Sequence, residues 1–227
     1  VISPETLPSY CEKVRELTLK DDFLVGRVIA RPFTGSNGKY KLNNAGRKDY
    51  PVAPPSKTIL DDLNANNYNV IAIGKMNDIF SKTSINKTLK ANSNMDAINK
   101  LTNVMDKKFT GLCMVNLCDF DSLYGHLRDV EGYAKAIEEL DVEIPMILNK
   151  LEVDDLFIIT ADHGNDPTFK GNDHTRENVP LIFYCRNFKN PKRLEIQDTL
   201  AVIGATIADN FEITPPEIGT SILDELE

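Results

Sequence analysis

The chain has 227 residues, 41% hydrophobic and 26% charged, a balance suited to one large globular domain or a medium one with an appendage. A net charge of −8 and a pI near 5.0 argue against a nucleic-acid partner. They do not argue against a phosphorylated substrate, because divalent metals and a few placed Arg and Lys hold phosphate locally. No apolar run approaches about eighteen residues and no signal-like segment opens the chain, so neither a membrane span nor export is expected. The four cysteines, Cys11, Cys113, Cys118 and Cys185, form no C-x-x-C pair. The last three lie in apolar strand contexts, as buried reduced thiols of a cytoplasmic protein do.

In chain order, Ser3-Pro4-Glu5-Thr6 reads as a helix start with Pro at the first helical position, followed by a periodic segment to Lys20. Val25 to Phe33 reads as a strand with Arg27, Ile29 and Arg31 on one face. Two Arg there are either solvated edge charges or a fork for phosphate. Thr34 to Gly38 is a turn, Lys39 to Leu42 a short strand, and Asn43 to Gly46 another turn. Pro51-Val52-Ala53-Pro54-Pro55 is the clearest linker, which sets a boundary between residues 1–52 and 53–227.

Beyond the linker, helices and strands alternate. Ser56 caps a helix to about Asn66, Tyr68 to Ile73 is a strand ending in Gly74-Lys75, and Asn94 to Lys107 is helical. Leu112 to Leu117 is a strand and Val130 to Leu151 a long amphipathic helix. Leu156 to Thr160 reads as a buried parallel strand, Val179 to Cys185 as a second strand, and Gln197 to Asn210 as the last helix. This alternation is that of an α/β protein with a mostly parallel sheet flanked by helices. The Asn-rich stretches near 64–67 and 86–94 carry no structural signal of their own.

Chemistry concentrates after the strand at Leu156. There I-I-T-A-D-H-G-N-D-P gives Asp162 and His163, and G-N-D-H-T-R-E gives Asp173 and His174. The only other His, His126, ends D-F-D-S-L-Y-G-H after the strand at Leu112. Ligands gather at the carboxyl ends of strands in open α/β sheets. All three His therefore follow strands and lie near carboxylates, and neutral imidazole with carboxylate is the ligand set of zinc or manganese. Asp121, His126, Asp162, His163 and His174 are the candidate ligands, and Lys75 joins them from a neighbouring strand end. Five ligands exceed what one catalytic metal takes, so two adjacent ions are expected, an arrangement suited to phosphoryl transfer. Asp119 and Asp166 read as supporting or capping groups.

D-F-D-S-L-Y-G-H-L-R-D, T-A-D-H-G-N-D-P and G-N-D-H-T-R-E-N-V-P together resemble the bacterial-type phosphopentomutases, a family of the alkaline phosphatase superfamily. The A-D-H-G core is common to that superfamily, whereas the N-D-H-T-R-E extension is typical of this family. V-G-R-V-I-A-R-P-F, R-K-D-Y, V-I-A-I-G-K and S-N-M-D also look like their counterparts there, so the likeness covers nearly all of the chain. Leu127 departs from the family's usual Arg, while Arg128 remains.

The resemblance implies an alkaline-phosphatase-like core over 53–227 and the C-terminal part of a small α+β cap over 1–52. It implies an isomerase that interconverts (deoxy)ribose 1-phosphate and (deoxy)ribose 5-phosphate through a phosphothreonine, a bisphosphate intermediate and two Mn2+ ions. One ion would be held by Asp121, His126 and His174, and the other by Asp162, His163 and an N-terminal Asp. Arg27, Ile29 and Lys75 map to substrate contacts. That N-terminal Asp and the nucleophilic Thr have no counterpart here, and Thr160, Thr168 and Thr175 read as ordinary strand and loop residues. The chain is thus expected to be the C-terminal portion of a longer polypeptide, with the rest upstream, and to be inactive as a mutase by itself. A hydrolase or phosphoglycerate mutase of the same superfamily, or a non-catalytic metal-binding domain, stands as the alternative.

Overall fold

A computed structural model describes residues 2–20, 22, 24–43, 46–81 and 83–226. The chain divides into two units, Val1–Ser56 with Asn77–Thr83, and Lys57–Met76 with Ser84–Glu227. The return of Asn77–Thr83 to the first unit has no counterpart in the sequence reading.

The first unit begins with α1 (Leu7–Leu17), whose N-cap is Thr6 rather than Ser3. Residues Ser3 to Thr6 form a preceding turn, in which Leu7 N–H donates to Ser3 O at 3.0 Å. Strand β1 (Arg27–Ala30) stops before Arg31-Pro32, because Pro has no N–H for the ladder. It pairs antiparallel with β4 (Lys48–Pro51), with Ile29 opposite Asp49. A hairpin, β2 (Phe33–Ser36) and β3 (Lys39–Leu42), turns on Asn37 and Gly38, whose φ values of 52° and 79° are those of a two-residue turn matched to strand twist. The turn expected over Asn43 to Gly46 falls partly outside the described residues, at 44 and 45.

Arg15 ties this unit together. Its side chain is buried and its guanidinium donates to Tyr50 O at 3.1 Å, Thr18 O at 3.0 Å and Val25 O at 2.5 Å. A buried charge persists only where such acceptors replace water.

The second unit is built on a three-stranded parallel sheet in the order β6 (Lys87–Leu89), β5 (Asn69–Ile73), β7 (Gly111–Val115). The central strand reads as a continuous apolar run because both of its faces are covered. Val70, Ala72 and Ile73 are each 0% exposed. Helix α4 (Asn94–Met105) lays Ala97 and Val104 against Ile71 and Ile73, while α2 (Ile59–Ala65) packs on β5 and on α6 (Ala201–Asn210). The N-cap of α2 is Thr58, not Ser56, and the Asp61 carboxylate accepts its N–H at 2.7 Å and its hydroxyl at 2.9 Å. Helix α3 (Met76–Ile79) follows β5 and belongs to the first unit from Asn77 on, and α7 (Leu223–Leu226) closes the described chain.

Helix α5 (Val130–Lys150) runs through Pro145, and β8 (Phe157–Thr160) follows it. The expectation that β8 is a buried parallel strand is corrected. It pairs antiparallel with β9 (Leu181–Tyr184), and its residues are half-buried to exposed. A short apolar run cannot report its partner's direction. Leu181 and Phe183 pack on Val202 and Ile222, forming a second, smaller core. The result is a mixed α/β fold with a parallel sheet flanked by helices. Among the described residues no helix is long and apolar enough to cross a membrane.

All four cysteines are free, Cys11 and Cys185 buried, Cys113 and Cys118 half-buried. Burial pushes the Cys113 thiol up to about 11, from 9.0. An unfolded chain therefore loses this proton from about pH 9 while the native thiol keeps it until about pH 11, so the stability tied to the neutral thiol is lost as pH rises across that window. Chemical denaturation of the wild type and Cys113→Ala at pH 8 and pH 11 should show the wild type losing on the order of 2 kcal/mol more than the variant.

Candidate metal centre

Asp121 lies inside a single π-helical turn, Phe120–Gly125, that follows β7, and His126 caps its C-terminal end. In an α-helix five residues turn the chain by about 140° beyond a full circle, so two such side chains diverge. The π turn bonds i to i+5, and here His126 N–H donates to Asp121 O at 3.0 Å. The wider turn returns both side chains to one face, with His126 Nε2 3.3 Å from Asp121 Oδ1.

Asp162 and His163 leave the carboxyl end of β8. The loop carrying His174 comes back to them through an antiparallel bridge between Gly164 and Thr175, with Thr175 N–H donating to Gly164 O at 3.0 Å. Gly164 permits this approach, since a Cβ there would lie 2.4 Å from Glu177 Oε2 and 2.9 Å from Thr175 O. The rings of His163 and His174 stack at 3.7 Å with 19° between planes, and His126 lies 4.9 Å from His174.

Asp121 is the hub. Its Oδ1 is 3.2 Å from His174 Nε2 as well as 3.3 Å from His126 Nε2. Donor atoms of Asp121, His163 and His174 all lie within 4.8 Å of one another. Asp162 stands further out, 3.6 Å from the Nε2 of its neighbour His163 and with its side chain 69% exposed. The geometry thus brings His163 within 4.8 Å of Asp121 and His174, whereas the resemblance places His163 on the other ion.

Bond lengths near 2 Å put two ligands of one ion roughly 3–3.5 Å apart, so the 3.2 and 3.3 Å separations suit a shared cation. The ring nitrogens are also oriented for it. His126 Nδ1 bonds Asn172 O and His163 Nδ1 bonds Gly164 O at 3.2 Å, which leaves Nε2 of each available as a ligand. Residues and geometry together fit a divalent metal.

A family model covers residues 45–215, well over half of the chain, and its description is the Metalloenzyme superfamily. The chain belongs to the Metalloenzyme superfamily. This alkaline-phosphatase-like family supports a metal-dependent enzyme of the phosphoryl-transfer type, and the donor cluster lies within the matched span.

Other sequence candidates resolve differently. Arg27 is paired across the strands and keeps its side chain 43% exposed. Its Nε donates to Asp49 Oδ1 at 3.1 Å and its Nη2 bonds Oδ2, while Arg47 reaches the same carboxylate at 3.3 Å. The hydrogen bonds to Asp49 hold the Arg27 guanidinium above its ordinary pKa. Ile29 lies opposite Asp49 on β1 and is half-buried. Both belong to the first unit, whereas the metal cluster belongs to the second.

Lys75, just beyond β5, stands beside Cys118, whose thiol is pushed up by burial and partly pulled back by that ammonium. Asp119 caps α4, accepting Asn94 N–H at 2.7 Å. Asp166 accepts the N–H and the hydroxyl of Thr168, each at 2.7 Å, and these bonds hold its carboxyl below the usual range. Thr175 Oγ1 accepts Asp166 N–H at 2.7 Å and donates to Glu177 at 2.5 Å, so both loop hydroxyls are engaged locally.

An open cleft of about 940 Å3 begins at Asp162 and His163 and continues past Arg176, Asn178 and Arg193. Its lining mixes those cations with the carboxylates of Asp162, Glu177, Glu195 and Asp198, so its size suits a small molecule while its charge favours neither sign.

Two residues escaped the sequence reading of the centre. Asn165 is buried and its amide donates to Asp121 Oδ1 at 2.8 Å, and Arg128 binds that amide's oxygen at 2.8 Å. The sequence signals were the adjacency of Asn165 to A-D-H-G and the retention of Arg128 beside Leu127, neither of which points to a role behind the ligands.

Manganese at a hundredfold excess over its Kd should raise the stability of the folded chain by about 2.7 kcal/mol. His174→Ala or His126→Ala should abolish most of the corresponding rise in melting midpoint, measured by thermal melting with and without manganese.

Proposed function

We propose that this chain carries the metal-binding core of a phosphopentomutase, an isomerase that interconverts (deoxy)ribose 1-phosphate and (deoxy)ribose 5-phosphate in the cytoplasm. The observation that supports this reading is the convergence of Asp121, His126, His163 and His174 from separate loops, carried on the D-F-D-S-L-Y-G-H, A-D-H-G and N-D-H-T-R-E stretches. Asp121, His126, Asp162, His163 and His174 would hold two manganese ions. Such ions supply charge neutralisation for the oxygens of a transferring phosphoryl group.

The remaining roles fall to the chain's own side chains. Arg27, held by Asp49 yet with its side chain 43% exposed, offers its outer N–H groups to a sugar phosphate, with Ile29 beside it. Fixing the guanidinium in advance lowers the entropy lost when phosphate binds. Lys75 supplies a compact positive charge at the carboxyl end of the parallel sheet. Net isomerisation requires that one phosphoryl group be lent to the sugar phosphate and a different one recovered from it. The resemblance assigns that exchange to a Thr in an upstream segment.

In the intact protein with manganese, ribose 1-phosphate and ribose 5-phosphate should interconvert, and Arg27→Ala should lower kcat/KM at least tenfold. Release of inorganic phosphate without isomerisation would favour a hydrolase of the same superfamily. Interconversion of phosphoglycerates would favour that mutase instead.

A further inference from the structure

We infer that Asn165 and Arg128 form a positioning relay that aims the Asp121 carboxylate at the bound cation, an inference that rests on the metal-centre reading above. Asn165 is 8% exposed, while the carboxylate and rings around it are half-buried or open. Its amide orientation is fixed by its partners. Arg128 Nη1 can only donate and meets Oδ1 at 2.8 Å, so the NH2 group must face Asp121, whose Oδ1 it reaches at 2.8 Å. That oxygen is the one 3.3 and 3.2 Å from the Nε2 atoms of His126 and His174. An amide N–H occupying one lone pair of Oδ1 stops the carboxylate from rotating and leaves the other lone pair for the ion.

Arg128 extends the hold to the imidazoles. The same Nη1 donates to Gly125 O and Asp166 O, each at 2.9 Å, Nε bonds Gly171 O, and Nη2 donates to Asp173 O at 2.6 Å. Gly171 and Asp173 flank Asn172, whose carbonyl receives His126 Nδ1, and Asp173 precedes His174. One guanidinium thus ties the turn that carries Asp121 and His126 to the loop that carries His174. A planar fork with several fixed donors can do this where an ammonium cannot.

Two signs of built-in constraint accompany the relay. Arg128 has φ +56°, a left-handed conformation disfavoured for any residue with a Cβ, which survives where the surrounding bonds over-determine it. Gly125 lies so close to the amide that a Cβ would meet Asn165 Nδ2 at 2.5 Å and Cγ at 2.6 Å. Only glycine lets the amide in.

The test is manganese binding to the purified chain by titration calorimetry, beside the melting midpoint without metal. Asn165→Ala removes the donor, and Arg128→Gly removes the fork while easing the backbone strain at φ +56°, with the metal-free midpoint reporting the fold of each. Each should weaken manganese binding about 10–100-fold. The double variant should be no more than about twofold weaker than the weaker single variant, because two residues acting in series are not additive. A folded single variant that binds within about twofold of wild type overturns the relay, even if its metal-free midpoint has fallen, since that pattern marks a purely structural role. Losses that multiply in the double variant overturn it as well. A wild type that binds no manganese would instead overturn the metal-centre reading beneath it.

Discussion

One oxygen atom, Asp121 Oδ1, is the meeting point of the second unit's loops. Two imidazole nitrogens face it at 3.2 and 3.3 Å and an amide N–H holds it at 2.8 Å. Those groups come from the turn after β7 and from the two limbs of the loop between β8 and β9, up to 53 positions apart between Asp121 and His174. Directed hydrogen bonds hold that convergence, with Arg128 and Asn165 reaching across it.

Those bonds come from the backbone as much as from side chains. The π turn brings Asp121 and His126 to one face, and the Gly164–Thr175 bridge brings the next loop back against His163. Carbonyls of Gly164 and Asn172 take the Nδ1 side of two rings, so that the Nε2 side points inward. The rigid support is the parallel sheet, whose central strand is covered on both faces and whose carboxyl ends carry Lys75 and the turn to Asp121. Rigid strands with polar loops at their tips give a site that is both fixed in place and chemically open.

The first unit follows a different economy. Arg15 is buried and supplied with backbone acceptors, and Arg27 is partnered by Asp49 through a fork. Both guanidinium groups bond to β4, Arg15 through Tyr50 O and Arg27 through Asp49. Lys48-Asp49-Tyr50 was not legible as a strand, so the acidic partner of Arg27 was not legible either. A cross-strand neighbour exists only once the register is known.

Sequence by itself determined the alternation of helices and strands, the apolar central strand, the long helix over Val130–Lys150, and the clustering of every His with carboxylates near strand ends. These follow from composition and period, which are local properties. Short elements such as β6, α3 and α7 were too brief for any period to show, and helix starts slipped from Ser3 to Thr6 and from Ser56 to Thr58 because several capping residues competed within a few positions. Only the tertiary structure decided that β8 runs antiparallel to β9, that the chain widens into a π turn between Asp121 and His126, and that Asn165 and Arg128 stand behind the ligands. Each of those depends on which distant backbone group accepts or donates a hydrogen bond, and no local pattern encodes a partner about forty residues away.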